Sequence, residues 1–565
     1  QNIFNRQITS LHAAALIIGA AGFLSRILGL LRDRLLASKF GAGDILDAYY
    51  AAFQIPDALY TLLLIGAASA AILPIFIEYR EEGKDHWRFI QTLLTVFGIF
   101  AALAALILII IAPLIVPIIV PGFSGEKLRL AVTLTRIMMV GPLFFGISGI
   151  ISSVLQAYHR FLMYAVPPIF YNLAIIFGIL VLVPAWGTAG LAIGVLLGSL
   201  LQLVVQLPVF FKLGGRPKLI FSIKDPGLRK VVSVSVPRVA ALSFNQVTNL
   251  ILIAVASLLA SGSIAVFKFS ANLIYFPIGI FGVSYALAIF PKLSESAVRK
   301  QGEEFFSELS FGIRNILFWS MPIAFLFVVL RAHIVRVILG AGVFDWNDTR
   351  LVAASLAALA AMIVFEGLNT LLIRAFYALE KTWEPLVANI SASIASVVSA
   401  IVLLGLFGRF PEWLYGLSRV LRVGDIAETQ VLAVAIAFSL GSVLNFFLLS
   451  AKLRKTAEGA FGIAARESVR PLARIVIASA LAGAASYLTL LPFPALLPTN
   501  TFLGIFAQGV TAGIVGFAAY FAALYVLRAE EFMSLLQSFR EHLYSPRKQP
   551  EVYEIEKLDG QESGK

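Results

Sequence analysis

The chain has 565 residues, of which 59% are hydrophobic and only 13% charged, with a mean hydropathy of +0.90. A soluble domain needs about twice that share of charge to cover its surface, so a soluble enzyme is excluded and an all-α polytopic membrane protein is expected. The net charge of +12 is therefore read first as loop placement, and no nucleic-acid partner is expected. Absence of cysteine removes disulfides and thiolate metal sites. The five histidines (His12, His86, His159, His333, His542) show no ligand spacing, so no metal is expected.

A membrane helix needs roughly 20 apolar residues. Runs of that kind predict fourteen transmembrane helices. Six fall near 11–37, 47–77, 89–120, 130–157, 161–184 and 187–211, giving an N-terminal six-helix lobe over 1–211. A basic linker, 212–230, separates it from runs near 231–260, 264–291, 311–335, 351–378, 384–407 and 430–451, a second lobe over 231–451. A second basic linker, 452–471, leads to a last helix pair within 472–528 and a polar tail, 529–565, expected to form a short helix and then disorder. Ser25-Arg26 interrupts the first apolar run, so a cleaved leader is not expected there.

Lys and Arg set the orientation. With the N-terminus and every second loop on one side, 29 of the 44 Lys and Arg collect there. Nine lie opposite: Lys39, Lys127, Arg129, Arg331, Arg336, Arg350, Arg409, Arg419 and Arg422. The reading is a cell membrane protein with both termini cytoplasmic.

The halves repeat. Pro74 and Pro291 close the second run of each half, and Pro168-x-x-x-Asn172 and Pro385-x-x-x-Asn389 open the fifth, all at an offset of 217. Gly198-Ser-Leu-Leu-Gln202 echoes Gly441-Ser-Val-Leu-Asn445 at 243, because the loop from Gly408 to Gln430 is long. Two like-oriented six-helix lobes predict a parallel pseudo-twofold repeat, with substrate at their interface.

Charge inside the apolar runs marks the candidate site. An arginine at the middle of a membrane helix costs about 2.5–3.5 kcal/mol on insertion scales and is tolerated against a wet cavity or an anion. The first helix carries Ser25, Arg26, Gly29, Arg32, Asp33 and Arg34. Arg34 reads equally as a residue that snorkels to the interface and as a further cavity cation. Arg26 and Arg32 stand roughly 240° apart on an ideal helix and face one way only if Gly29 permits a bend. Asp47 opens the second run, in reach of Arg32 or Arg34 across the turn Phe40-Gly-Ala-Gly-Asp44, either as a staple or as a gating pair. Gln54 follows it. In the second half Arg238, Asn245 and Asn249 lie on the seventh run, and Lys268 and Asn272 on the eighth. Lys268 reads equally as a snorkelling residue and as a cavity cation. Glu366 on the tenth run is the candidate proton site, and Arg374 reads as an interface anchor. Pro56 and Pro277 read as kinks in matching second runs. No G-x-x-x-x-G-K-[ST] loop is present, so energy is expected from the membrane potential or a monovalent cation, with no cofactor.

Ser25-Arg26-Ile-Leu-Gly29-Leu-Leu-Arg32-Asp33, Phe40-Gly-Ala-Gly43, Asp47-Ala-Tyr-Tyr, Phe53-Gln-Ile-Pro56, Tyr275-Phe-Pro277-Ile-Gly-Ile-Phe-Gly and Arg374-Ala-Phe-Tyr377 resemble the MurJ/MviN family. These are the lipid II flippases of the multidrug/oligosaccharidyl-lipid/polysaccharide exporter superfamily. The resemblance implies two lobes around a cationic cavity and a last helix pair forming a lipid-tail groove. It also implies alternating access and no enzymatic activity. The implied cargo is lipid II, an undecaprenyl-pyrophosphate disaccharide-pentapeptide, with membrane lipids and cell-wall synthesis proteins as partners in a bacterial inner membrane. Arg26 and Arg32 match family arginines that meet the pyrophosphate, and Asp47 matches an acidic position. Departures are Tyr60-Thr61 where relatives carry arginine, and Ala271-Asn272 with Lys268 one turn earlier where they carry Asp-Arg. Asn245, Asn249, Asn389 and Ser393 stand where some relatives place sodium ligands, which weakens sodium coupling. The alternative is a cation-coupled multidrug exporter, or an exporter of another polyprenyl-linked saccharide, in the same superfamily.

Overall fold

The computed structural model describes residues 11–62, 68–216, 218–426, 428–462, 470–492, 501–533 and 536–537. Among them are helices and no strands. In chain order these are α1 (Leu11–Phe40), α2 (Asp44–Ala52), α3 (Gln54–Tyr60), α4 (Ala68–Glu81), α5 (His86–Ile119), α6 (Gly125–Ala157), α7 (Pro167–Trp186), α8 (Ala189–Lys212) and α9 (Pro226–Ser257). Then come α10 (Ser263–Val298), α11 (Gly302–Ile338), α12 (Trp346–Leu359), α13 (Ala361–Ala378), α14 (Trp383–Arg409), α15 (Pro411–Val420), α16 (Val431–Phe461), α17 (Arg470–Leu490) and α18 (Phe502–Val526).

Eleven helices among the described residues are long and apolar enough to cross a membrane. That number is smaller than the fourteen expected. Side chains at the start of α1 and along α9, and part of the second run, lie outside the described residues, so those three runs do not enter that number. The lipid-facing stripe is plain on α5, where Phe100, Leu103, Ile107, Ile110, Leu114 and Ile118 are exposed while Ala101, Ala105, Ala112 and Val116 are buried. Starts of helices are set locally. Asp85 accepts from the Arg88 amide at 2.9 Å, Asp225 accepts from Leu228 at 3.0 Å ahead of Pro226, and Asp345 and Asp348 form a reciprocal cap on α12.

Pro56 explains the break between α2 and α3. It lacks the amide hydrogen that would bond Ala52, and the helix interrupts at Phe53. The expected repeat is visible in backbone detail. Thr61 and Leu62 are π-helical, and Ile278–Val283 is π-helical at the same offset of 217, just after Pro277. Pro74 lies inside α4, as Pro291 does in the last part of α10.

Helices α1 to α8 pack on one another, as do α10 to α16, while α17 and α18 pair together against α11. α9 touches α14 of its own half and reaches across to α4 and α5, where Lys230 Nζ meets Glu78 Oε2 at 2.6 Å. At the opposite end the halves meet directly. The Val343 amide bonds Ser38 O at 2.9 Å, the Ala42 amide bonds Asp348 Oδ2 at 3.2 Å, and the Gly122 amide bonds Ser257 Oγ at 3.2 Å. α16 runs on to Phe461, into the stretch read as the second linker. Most of the tail, and the side chains of Arg238 and Asn245, lie outside the described residues.

Candidate functional site

α1 is one unbroken helix, so Arg26 and Arg32 face different partners as helical spacing requires. The helix runs through Gly29 without interruption. Gly29 faces α7, where a Cβ would make ordinary contact with Asn172 Oδ1 at 3.9 Å. Asn172 ties α7 to α1 by donating from Nδ2 to the carbonyl and the hydroxyl of Ser25, both at 3.2 Å. Its Oδ1 accepts from Arg32 Nη1 at 3.3 Å. Arg32 turns the rest of its fork on Asp33 Oδ1, Nη2 at 2.8 Å and Nε at 3.0 Å. The other Asp33 oxygen accepts from Asn272 Nδ2 of α10 at 2.9 Å. One carboxylate, itself only 3% exposed, thus joins the first helix of one half to the other half.

Arg26 lies lower on α1, where Phe23, Leu24 and Ile27 are also exposed. Its Nη1 donates to the Phe276 carbonyl of α10 at 3.1 Å. The guanidinium rests on Gly279, where a Cβ would stand 2.1 Å from both terminal nitrogens. Phe276 and Pro277 also line an apolar pocket of about 390 Å³ closed by Leu30 of α1, Phe327 of α11 and Phe517 of α18. A second pocket of about 230 Å³ continues it along α11 and α18 past His333 and Phe506. The last helix pair therefore helps build an apolar groove, and the groove ends beside a charged group.

Lys268 does not snorkel. Its Nζ donates to Asn249 Oδ1 at 3.2 Å, Asn249 donates to Gln54 Oε1 at 2.9 Å, and Gln54 donates to the Tyr50 carbonyl at 2.9 Å. This chain of amides crosses from α10 through α9 to α2 and α3, over the buried Pro56. Asp57, next in α3, is exposed and within Coulombic reach of Lys268. Sequence reading passed over Asp57 and used Asn172 only as a repeat marker. The offset pairing of Asn172 with Asn389 was the one available signal for the latter. Asn389 itself accepts from Asn445 at 2.9 Å within the second half.

Two expectations are corrected. Asp47 does not meet Arg32 or Arg34. It is 1% exposed and accepts from Lys127 Nζ at 2.7 Å and from the amides of Gly262 and Ala265 at 2.7 and 2.9 Å. It caps α10, whose first amides have no helical partner and favour a negative charge, and so belongs to the closed end rather than to the seam near Arg26. Arg34 does not reach an interface alone, because its Nη1 takes the Val337 and Ile338 carbonyls that end α11 and its guanidinium covers Phe502 at 5.4 Å. Glu366 is half-buried, its Oε2 accepting from Ser442 Oγ at 2.9 Å on α16. Arg374 stacks over Phe290 at 5.9 Å. Among the described residues no cluster of His, Cys, Asp or Glu could hold a metal ion.

Two helical halves, with cations held at their seam by groups that a ligand could replace and an apolar groove opening beside them, define a membrane carrier for an amphiphile. The family model described as lipid II flippase MurJ matches residues 36–507, and the chain belongs to that family. The probable lipid II flippase MurJ of Vibrio cholerae is 29% identical over 484 residues, covering 83% of this chain and 87% of its own length. The lipid II flippase MurJ of Burkholderia cenocepacia is 29% identical over 409 residues, covering 71% and 79%. Among solved structures, a lipid II flippase MurJ in an inward closed conformation matches with TM-score 0.71 at 22% identity, covering 92% of this chain and 100% of that one. An inward-facing multidrug MATE transporter matches with TM-score 0.62 at 13% identity. These two likenesses show the fold alone.

Proposed function

We propose that the chain is a lipid II flippase that moves the polyprenyl-pyrophosphate glycolipid from the inner to the outer leaflet by alternating access, with both termini cytoplasmic. The contact of Arg26 with Phe276 beside the apolar pocket carries the reading. It places a cation that has no carboxylate partner among the described residues at the mouth of a groove fit for an isoprenoid chain. Arg26 would exchange a carbonyl for a pyrophosphate oxygen. Arg32 and Lys268, each already facing a carboxylate, would share the headgroup as the seam rearranges, with Asn272 and Asp33 keeping Arg32 aimed. Guanidinium forks meet phosphate with two parallel hydrogen bonds, stronger than neutral ones. The closed end, tied through Asp47, corresponds to an outer seal. Membrane potential would reset the empty carrier, because one charge crossing 100 mV gains about 2.3 kcal/mol.

The test is lipid II flipping by full-length protein in proteoliposomes, with and without an inside-negative potential. Arg26→Ala and Arg32→Ala are each expected to weaken lipid II binding about tenfold or more, the loss of one charged hydrogen bond, and to slow flipping accordingly. Wild-type rates in both variants would remove the pyrophosphate role. Gly279→Val keeps every charge but drives the Arg26 guanidinium off the Phe276 carbonyl. It is expected to lower flipping toward the level of Arg26→Ala, while Gly279→Ala, which a flexible side chain can evade, falls between. Glu366 accepts from Ser442 Oγ, and nothing in that contact favours a drug exporter run by this carboxylate.

A further inference from the structure

The loop that lengthens the second half is built rather than loose. Across it the repeat offset rises from 217 to 243, and α15 occupies the added chain. Ser418 is buried, and the half-buried Leu417 and Leu421 pack against Val423, Ala354 and Leu432. Ser418 Oγ donates to Thr429 Oγ1 at 2.9 Å, and the Val423 amide bonds the Ser418 carbonyl at 2.7 Å. Arg350 of α12 fixes the far side. It donates to the Arg422 carbonyl from Nε at 3.0 Å and Nη2 at 2.6 Å, and to Asp425 from Nη1 at 2.7 Å. The Arg350 hydrogen bonds hold the Asp425 carboxyl down to about 2, so this pair stays ionised and Arg350 is fully used.

The outward face is different in kind. Trp413, Tyr415 and Val420 are 57%, 57% and 77% exposed. Trp413 stacks on Phe410 at 5.4 Å, and Arg409 covers the same ring at 5.9 Å. Behind the helix, Arg422 stands at φ +62 and donates from Nη2 to Tyr487 Oη of α17 at 3.3 Å. Arg331 of α11 donates to the Leu421 carbonyl at 3.5 Å and lies within Coulombic reach of Arg422. Among the described residues, Arg331, Arg409, Arg419 and Arg422 have no carboxylate partner. Five of the nine Lys and Arg expected on this side of the membrane stand in this corner.

We propose that this corner is a lipid-binding site that takes the phosphate of an anionic glycerophospholipid in the adjoining leaflet. Arg331 and Arg422 share the phosphate, and Trp413 and Tyr415 enter the headgroup layer. Two guanidinium groups brought together without a carboxylate repel one another, and an anion between them removes the repulsion while using their free donors. Depth fits. Arg331 precedes the end of α11 by seven residues, roughly 10 Å along the helix, and Tyr487 stands about 5 Å from the end of α17. The pair therefore sits at headgroup level, where Trp and Tyr gather because one edge is apolar and the other polar. This site does not depend on which cargo the carrier moves.

The experiment is native mass spectrometry of the full chain with equal phosphatidylglycerol and phosphatidylcholine. Wild type is expected to retain phosphatidylglycerol, and the double variant Arg331→Gln with Arg422→Gln to retain it at least about tenfold less. Tyr487→Phe removes one hydroxyl without disturbing packing, and gives a smaller loss in the same direction. In vesicles of brominated phosphatidylglycerol, Trp413→Phe is expected to lose a quenched share of the tryptophan emission. Equal retention of both lipids, unchanged retention in the double variant, or no quenching lost in Trp413→Phe would each overturn the site. Displacement by a polyprenyl phosphate but not by inorganic phosphate would overturn the glycerophospholipid assignment in favour of a carrier-lipid site. Copurification of a protein on α15 with Trp413 unquenched would replace the lipid with a partner.

Discussion

Asp47→Asn is expected to open the sealed end of the bundle. The carboxylate is buried and holds three donors from two other elements: Lys127 at the start of α6, and the Gly262 and Ala265 amides that begin α10. The seal is a backbone contact at its centre. Gly262 has φ +87, and a Cβ there would stand 2.0 Å from the Ala42 carbonyl, so no side chain can buffer a shift. Asparagine keeps one acceptor and turns an NH2 group on a donor. It also leaves the 18%-exposed Lys127 with only the more open Asp44 at 2.6 Å. Removing one partner of a buried pair costs about 3–5 kcal/mol. In a carrier that cost falls on one conformation, and about 3 kcal/mol shifts a two-state ratio by more than roughly a hundredfold. Spin labels on Glu126→Cys and Asn347→Cys, exposed positions in the two halves, would be the sole thiols, because the chain has no cysteine. Their distance distribution is expected to lengthen and broaden in Asp47→Asn and to change little in Asp44→Asn, whose carboxylate is mostly in water. An unchanged distribution in Asp47→Asn would remove Asp47 from the seal. Flipping is expected to fall with it, because a carrier that cannot close one end cannot complete the cycle.

What the sequence made legible follows the range of the forces involved. Apolar runs are local, so the long helices and their order could be read, and so could the repeat, which copies local pattern at a fixed distance. The partner of Asp47 could not. Its acceptor role is filled by amides 215 and 218 residues away, and an amide carries no residue signature. Arg32 and Asp33 were marked as charges in an apolar helix, but the carboxylate that pairs with Arg32 also meets Asn272, and that second link exists only once α1 and α10 adjoin. The single proline at 56 was read as a kink. It acts one turn upstream by offering Ala52 no amide hydrogen, which interrupts the helix at Phe53. α15 was read as loop because its amphipathic pattern is short and lies between two longer apolar runs. Lys268 was balanced between two readings because snorkelling depends on depth, and depth depends on where Asn249 and Gln54 pack.

Asp33→Asn is expected to abolish flipping more completely than removal of Arg32, because it disrupts two sides of the seam at once. Asp33 Oδ1 balances Arg32, and Oδ2 receives Asn272 across the halves. With asparagine in place the guanidinium, 23% exposed, loses its counter-charge. One amide group must then face another donor, either from Arg32 or from Asn272. The same estimate for a broken buried pair, about 3–5 kcal/mol, falls here on the geometry that aims Arg32 rather than on a helix cap. Asn172 still accepts from Arg32 Nη1, so the side chain is not freed but pulled toward α7, away from α10. Asn272→Asp in the Asp33→Asn background returns one carboxylate to the same contact from the opposite helix. A double-mutant cycle on flipping rate is therefore expected to show coupling of at least about 1 kcal/mol between positions 33 and 272, with the pair of changes less damaging than their separate effects combined. Additive losses would mean that Asp33 acts on Arg32 alone and that the bond to α10 is incidental.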